Sequence, residues 1–573
     1  MKKRWHLQKP DENRISRLQA ALHCHPAIAS ILIQRGIHSE KEADRFLNPS
    51  LKHLRPPFGI KDLDKAVSRI YHALTTNQKL WIFGDYDVDG VSATALLYQF
   101  LQHIGLDVSY YIPHRVSEGY GLKARHISEI VVPKRIDLVL TVDCGSSSHN
   151  AIALAQQAGV DVIVTDHHEP PSTLPPALAI VNPKRPDCHA GFENLAGVGV
   201  AFYLMVGIRK MLRENGFFEG KKEPKLVRAC DLVALGTVAD MVPLTGDNRI
   251  LTRAGLGVMR TGSRKGINSL IEVAGIEKHD IEAEDLAFKI APRINAAGRI
   301  HHASIAAEIL TTEDTHRASK AAGMLNRYNS LRQDEERQTL NNITGLLEQD
   351  PGLVSPKSIV IAGDGWHEGV LGIIASRLVR RHYKPAIVIS MDGDTAKGSG
   401  RSVPDLNLFE AISACDDLMI QFGGHAMAVG IQLHSNNIDS FRKRLEKVIT
   451  DMTGPDGFIP RMNIEWELNL QEITPTLADE VDALKPFGNQ NPEPLFMTRN
   501  VHVLSSNVVG GSHRRMLLSQ SQDGALGRFR AIQFNADVKS SKFDFFSKIA
   551  YKIQWNRWKG NKALQLVIED IKV

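Results

Sequence analysis

Cysteine is scarce in this chain: five residues, Cys24, Cys144, Cys188, Cys230 and Cys415, none in CxxC spacing. An odd, scattered set makes neither a disulfide framework nor a zinc ribbon, and it points to a reduced, cytoplasmic protein. Long apolar runs are missing too. The longest uncharged one, residues 195–208, ends at Arg209; it is too short to cross a bilayer and suits a buried helix. The opening MKKRWHLQKPDEN is basic but lacks an apolar stretch behind it, so no secretory signal is expected. Neither sign of charge dominates. Lys+Arg 69 against Asp+Glu 64 leaves a formal +5, which tolerates a polyanionic partner without demanding one.

Several motifs are absent as well. Residues 216–221 have one spacer too few for a phosphate-binding loop and no Ser or Thr after the lysine, which argues against an ATPase. His367-Glu368 lacks the second histidine of a zinc-protease helix, because position 371 is Leu. Gly197-Val-Gly199 lacks the third glycine of a dinucleotide loop. The sequence shows no internal repeat and no low-complexity tract.

What is present is ordinary globular material. Hydrophobic residues make up 43% and charged residues 23% of 573, a balance that excludes wholesale disorder. That length predicts three to five domains. Residues 1–55 read as a punctuated helical extension packed on the domain after it. Short β-branched or aromatic runs at 80–83, 108–112, 138–142, 162–165 and 178–181 alternate with helical stretches such as 91–104 and 150–158, the pattern of a parallel α/β sheet. Helices around 198–212 and 225–235 come next. The polar stretch 303–349, with 326–337 inside it, reads as a solvated helix joining two domains, a binding helix being the alternative. A second α/β pattern begins with a strand at 358–362, a helix at 369–381 and a strand at 385–390, then a glycine-rich segment, and closes with a helix at 437–450. After Pro455, short β segments at 463–470, 501–504, 516–519, 531–534, 549–555 and 564–568 suggest a small antiparallel barrel.

The chemistry sits in Gly84-Asp-Tyr-Asp-Val-Asp-Gly90. Asp85, Asp87 and Asp89 crowd one loop behind a strand, and three like charges so close are costly without a cation. An EF-hand is excluded: its twelfth position falls on Leu96, and the flank is a strand rather than a helix. Asp143 follows the 138–142 strand, and Asp166-His167-His168 follows the 162–165 strand. In an open α/β sheet such positions converge on one crevice. Any one of them could be a helix cap or a satisfied polar group, and Asp240 alone reads as a cap. Together they form a metal site. Carboxylates with one or two imidazoles favour manganese or magnesium, and so many acids suit two ions sharing a bridging aspartate, a pair that activates water and steadies the leaving oxygen in phosphoryl hydrolysis.

In this order the segments resemble the DHH phosphoesterase superfamily, named for the triplet at 166–168. The resemblance extends over roughly residues 50–573. Residues 365–378, Gly-Ser-Gly-Arg-Ser at 398–402 and Gly-Gly-His-Ala-Met-Ala-Val-Gly at 423–430 look like its associated DHHA1 domain, and Phe-Gly-x-x-Asn-Pro-Glu-Pro at 487–494 opens a barrel resembling an OB-fold. The implied architecture is multidomain α/β: an N-terminal helical extension (1–55), a parallel-sheet DHH domain (56–302), a long connecting helix (303–350), a second α/β DHHA1 domain (351–455) and an OB-like β-barrel (456–573).

The resemblance implies a 5′→3′ exonuclease specific for single-stranded DNA, acting in repair and recombination and releasing 5′-mononucleotides with two Mn²⁺ or Mg²⁺ ions. A small-substrate member of the superfamily (a pyrophosphatase, nanoRNase or cyclic-dinucleotide phosphodiesterase) is the alternative, disfavoured because a small substrate needs no third binding domain. Asp87 and Asp143 would hold one ion with help from Asp85. Asp89, Asp143, His167 and Asp240 would hold the other. His168 would face the scissile phosphate and Asp166 would orient the histidines. Polarity requires a pocket for a terminal phosphate, a task suited to arginine forks and short hydroxyls. Arg115, Ser399 and Arg401 are the candidates there, with Arg293, Asn295 and Arg299 expected in the substrate cleft. For each arginine an ion pair buttressing a domain contact is the plainer alternative. His425 is expected at a close approach of backbone to ligand, or else in a tight packing turn. In the barrel, Arg514, Arg515, Arg528, Arg530, Lys548, Lys552, Arg557 and Lys559 interleave with Phe529, Tyr551, Trp555 and Trp558, as in grooves that bind single strands. A single-strand-binding protein and a RecQ-type helicase are the implied partners, with no membrane and a monomeric chain.

Overall fold

The computed structural model describes residues 3–522, 525–536, 543–558 and 561–573. Five parallel strands form the first sheet, in the order Asp107–Tyr111, Lys79–Gly84, Leu138–Val142, Asp161–Thr165, Ala179–Val181. Leu138–Val142 is buried along its whole length, which is why it reads as an apolar run broken only by Thr141, whose hydroxyl donates to Cys144 O: helices cover both faces. Val88–His103, Gly197–Glu214 and Cys230–Ala239 pack on one side. The other side carries Ile152 and Ala155 of His149–Gln157. From Lys79–Gly84 the chain steps outward to Asp107–Tyr111, then crosses back to Leu138–Val142. The order therefore reverses between the two central strands, and a crevice opens beyond their carboxyl ends.

Thr315–Gln349 is one helix of 35 residues, roughly 50 Å long at 1.5 Å per residue. It is less solvated than its polarity suggests. Asn329, Arg332, Glu336 and Thr339 are buried, because Arg332 bonds Glu336 Oε2 at 2.9 Å and Asn329 Oδ1 at 2.7 Å, and Glu336 also meets Arg377.

The second sheet runs Met419–His425, Ala428–His434, Thr395–Arg401, Ala386–Asp392, Ile359–Asp364, with only the last pair parallel. Its glycine-rich segments are strands. A Cβ on Gly398 would come within 2.8 Å of Ile431 and 3.0 Å of Ile389, so glycine admits the β-branched side chains of both neighbours.

The C-terminal strands Phe496–Val509, His513–Gln522, Ala525–Gln533, Asn561–Lys572 and Phe545–Trp558 close into a five-stranded barrel through pairing of the first with the last, as in an OB-fold. The N-terminal helices fold against this barrel, whereas Leu51 and Leu54 pack on the core of the first domain, as expected, and Arg249 and Arg253 of that domain donate to Phe46 O and Leu47 O. Arg4–Leu7 pairs in parallel with Arg461–Ile464. Ile28, Ile31 and Leu32 of the helix Pro26–Gln34 share a core with Leu470, Leu477, Phe496 and Tyr551. That helix is apolar almost all round, so it needs partners on every face. No described helix is long and apolar enough to cross a membrane.

Candidate metal centre

Each acidic side chain reaches the crevice from a strand end or a helix end. Asp85 follows Lys79–Gly84. Asp87 caps Val88–His103, its Oδ1 accepting from Gly90 N at 3.0 Å. Asp89 lies in the first turn of that helix and accepts backbone N–H groups from a second helix, Gly197 N at 2.6 Å and Val198 N at 2.9 Å. A helix N-terminus thus steadies its charge. Asp143 sits one residue past Leu138–Val142 with φ 60, the left-handed region that a non-glycine residue occupies at a cost.

The geometry divides into overlapping groups whose ligand atoms lie within 4.8 Å of one another: Asp85, Asp87 and Asp143; Asp89, His167 and Asp240; Asp143, His167 and His168. His167 Nε2 stands 3.1 Å from Asp143 Oδ1, 3.6 Å from Asp240 Oδ2 and 3.8 Å from Asp89 Oδ2. Yet Asp85 Oδ1, Asp143 Oδ1 and His167 Nε2 are buried with no hydrogen-bond partner. Buried lone pairs that converge without donors between them are the signature of a cation site, since a polar core would otherwise satisfy them.

Protonation obeys the same logic. Burial, then the neighbouring acids, pushes Asp85, Asp89 and Asp143 well above the usual carboxylate range and Asp240 up to about 7: these groups do not all ionise together without added positive charge. Burial and the charge on His168 bring His167 down to about 3, leaving a neutral imidazole fit to ligate. His168 is the opposite case. Burial alone would depress it, but its bond to Asp166 Oδ1 at 2.8 Å and that carboxylate's charge raise it to about 9. Asp166 would be raised by burial, but His168 and Ser146 N (3.0 Å) hold it at about 2. It also accepts His167 N at 2.8 Å and His168 N at 3.1 Å, fixing the backbone that carries both rings. The donor set, carboxylates with one neutral imidazole and no thiolate, suits Mn²⁺ or Mg²⁺.

The other expected residues divide. Arg115, whose guanidinium lies 4.9 Å from the Tyr86 ring centroid, acts electrostatically on Asp85, Arg299 and Arg401. Burial, with Arg115, Arg332 and Arg401 nearby, lowers Arg299 to about 9. Arg299 donates to Gly369 O at 2.8 Å, and Arg401 donates to Ser399 Oγ at 3.1 Å and Gly400 O at 2.8 Å. Among the described residues, none of these three cations has a carboxylate within 4.0 Å in an ion pair, so they form an anion-ready cluster between the two α/β units. Asn295 presents a buried, unpartnered Oδ1. Arg293 stands apart, bonded to Asn326 Oδ1 at 3.0 Å and Lys289 O at 2.6 Å. Through Asn326 it ties its own helix to the connecting helix. His425 is exposed and ends the strand Met419–His425, where a two-residue turn leads to its partner Ala428, which is in register with Arg401.

The barrel residues need more correction. Arg514 is 1% exposed and bonds Ser506 Oγ at 2.8 Å and Phe543 O at 3.0 Å; it shares the inward pleat with Met516 and Leu518. Tyr551 is core, its hydroxyl 2.8 Å from Thr498 Oγ1. Lys552 is neutralised by Glu493 and Glu569. Phe529 packs against the core, and the Trp555 ring is covered by Lys562 Nζ at 3.9 Å. Arg515, Arg528 and Arg530 remain exposed, on one face by register, and Lys548 is half-exposed. Lys559 and the side chains of Arg557 and Trp558 lie outside the described residues.

Two contributors escaped the sequence reading. Tyr120, flanked by glycines, sets its hydroxyl 3.1 Å from His168 Nδ1 and donates to Asp143 O at 3.2 Å. Gly197 leaves room for Asp143, whose Cγ a Cβ there would approach to 2.7 Å; the incomplete dinucleotide echo was the one trace of it.

Comparison with known proteins supplies the last observations. The DHH family, N-terminal domain, matches residues 79–237, the DHHA1 domain 355–451 and the RecJ OB domain 464–570. The single-stranded-DNA-specific exonuclease RecJ of Escherichia coli K12 is 35% identical over 585 residues, covering all of both chains. That of Bacillus subtilis is 35% identical over 578 residues, all of this chain and 71% of its own. The crystal structure of Thermus thermophilus RecJ with Mn²⁺ aligns at TM-score 0.84 and 30% identity, over all of this chain and 79% of that one. The Mg²⁺ complex of the same protein aligns at 0.78 and 29%, over all of this chain and 78% of that one.

Proposed function

The chain belongs to the RecJ family of single-stranded-DNA-specific exonucleases, and from that premise we propose how its residues divide the work of shortening a DNA strand. The enzyme is a metal-dependent exodeoxyribonuclease, a hydrolase of phosphodiester bonds. Asp85, Asp87 and Asp143 would hold one divalent ion, and Asp89, His167 and Asp240, with Asp143 shared, the other. Bound Mn²⁺ or Mg²⁺ supplies water activation near neutral pH and charge neutralisation at the phosphate.

The chain's own groups do the rest. Gly197 N and Val198 N hold Asp89 in place. Asp166 keeps His168 protonated; Asp166 and Tyr120 both meet Nδ1 of its ring, which leaves Nε2 to donate a hydrogen bond to a phosphate oxygen. Arg115, Arg299 and Arg401 with Ser399 take the terminal phosphate, which sets 5′→3′ polarity and release of 5′-mononucleotides. Bidentate guanidinium forks suit that dianion. A cleft of about 830 Å³ lies between the first domain and the barrel, lined by Met241 and Phe288 on one side and Phe487 and Trp555 on the other, and would take part of the strand. An enzyme of this kind needs unwound DNA, which supports a single-strand-binding protein and a RecQ-type helicase as cytoplasmic partners of a monomeric chain.

The observation that carries this reading is the convergence of unpartnered, buried Asp85, Asp143 and His167 lone pairs. Purified protein with Mn²⁺ should release mononucleotides from 5′-labelled single-stranded DNA and leave blunt duplex and pyrophosphate intact. Asp143→Ala should abolish cleavage while strand binding persists. Turnover of pyrophosphate alone, or full activity of that variant, overturns the assignment.

A further inference from the structure

The barrel's opening loop reaches back to the turn that follows Asp240. Asp240 is the most open of the acids around His167, with 24% of its side chain exposed. It stands at the C-terminal end of Cys230–Ala239, and among the described residues no hydrogen bond holds its carboxylate. Its position therefore depends on the backbone that carries it. The next residue, Met241, has φ 60 and is 72% exposed, a conformation that needs external support.

That support comes from more than two hundred positions away in sequence. Asn489 Nδ2 donates to Met241 O at 2.7 Å, and Leu244 N donates to Asn489 O at 2.8 Å. One residue thus grips both ends of the turn that leaves Asp240. Its own loop is braced for the task. Gly488 and Asn491 exchange backbone hydrogen bonds at 2.9 and 3.1 Å. Asn491 Nδ2 donates to Leu484 O and Pro486 O at 3.0 and 2.7 Å. The buried Arg249, from the helix Gly246–Thr261, donates to Leu484 O at 2.9 Å and Lys485 O at 2.7 Å. Leu244 Cδ1 lies so near Gly488 that a Cβ there would come within 2.6 Å of it, so the two loops are in tight register.

We propose that Asn489 is a positioning residue for Asp240, through which the C-terminal domain sets the affinity of one of the two divalent-ion sites. The inference rests on Asp240 being a ligand. Outer partners of this kind typically govern metal affinity by about 10–100-fold.

The test is a Mn²⁺ titration of the full-length metal-free protein, with free Mn²⁺ monitored by electron paramagnetic resonance. Asn489→Ala and Asp240→Asn should weaken the same one of two sites, the former by about 10–100-fold, with the other site unchanged. Asn489→Asp, isosteric but unable to donate to Met241 O, should do likewise and covers the case in which the alanine variant misfolds. Excess Mn²⁺ should restore kcat of the Asn489 variants at an unaltered KM for single-stranded DNA, whereas a purely scaffolding role would lower thermal stability or raise KM without a site-selective loss. Wild-type affinity at both sites in the Asn489 variants, alongside loss of one in Asp240→Asn, overturns the latch. Two intact sites in Asp240→Asn overturn the ligand assignment and the latch with it.

Discussion

Asp143 carries the least comfortable geometry in the centre: a left-handed backbone, full burial and a carboxylate oxygen without a donor. Such a group keeps its proton in the metal-free fold and ionises readily only when a cation takes the proton's place. This fixes the sign of a pH effect. Asp85, Asp89, Asp143, Asp240 and His168 all have raised values in the metal-free fold, to about 7 for Asp240 and about 9 for His168. A raised group stabilises the fold below its unfolded value and loses that contribution as pH climbs through the folded one. The lowered groups, Asp166 at about 2 and His167 at about 3, have finished their opposing gains by their ordinary values near 4 and 6.5. Between pH 6.5 and 9 every shift in the centre therefore acts in one direction. In EDTA the melting midpoint should fall across that window, and saturating Mn²⁺ should remove the fall; a flat EDTA profile refutes the description. Arg401 offers a second single-residue check. Arg401→Ala should erode the preference for a 5′-phosphate over a 5′-hydroxyl end about tenfold or more, the order of one charge-assisted hydrogen bond, and an unchanged preference in competition assays clears it of that duty.

Elements place these residues, and their legibility differs accordingly. The strand-end acids were readable because a buried parallel strand is a continuous apolar run and the residues just past its end lie at the crevice. The helix Gly197–Glu214 was readable as buried, but not as the structure whose N-terminus grips Asp89, since that contact joins positions more than a hundred residues apart. The glycine-rich strands of the second sheet were hidden because glycine, which fits there by making room for Ile389 and Ile431, has no strand preference of its own. In the barrel, the alternation of 514, 516 and 518 inward was masked by an arginine on the buried face. Gly197→Ala tests the helix directly. Its added methyl would strike Asp143, and overpacking at this point should destabilise by about 1–3 kcal/mol while weakening Mn²⁺ binding. Denaturant melts and metal titrations both returning wild-type values would show that the helix start is not held against the centre.

Across the whole molecule, the two ends of the chain make one body. The N-terminal helices bury Ile28, Ile31 and Leu32 against barrel residues such as Leu477, Phe496 and Tyr551, while the buried Arg249 joins the loop entering the barrel to the domain that holds the metal centre. Stability in the barrel therefore depends on residues far from it in sequence, and damage there should be separable from damage to the first sheet, whose core is a different set of residues. Ile31 makes the cleanest probe because it is fully buried and belongs to a core that shares no residue with that of the first sheet. Truncating such a side chain costs about 2–5 kcal/mol through lost burial and the cavity left behind. Ile31→Ala should accelerate hydrogen exchange in the strands Phe496–Val509 and Phe545–Trp558 while leaving Lys79–Gly84 and Leu138–Val142 protected as before. Hydrolysis of a trinucleotide, too short to need the barrel, should stay close to wild type, and affinity for a long single strand should fall. Uniform loss of protection across both sheets would mean that the chain unfolds as one cooperative unit, and the separate dependence of the barrel on the N-terminal helices would be wrong.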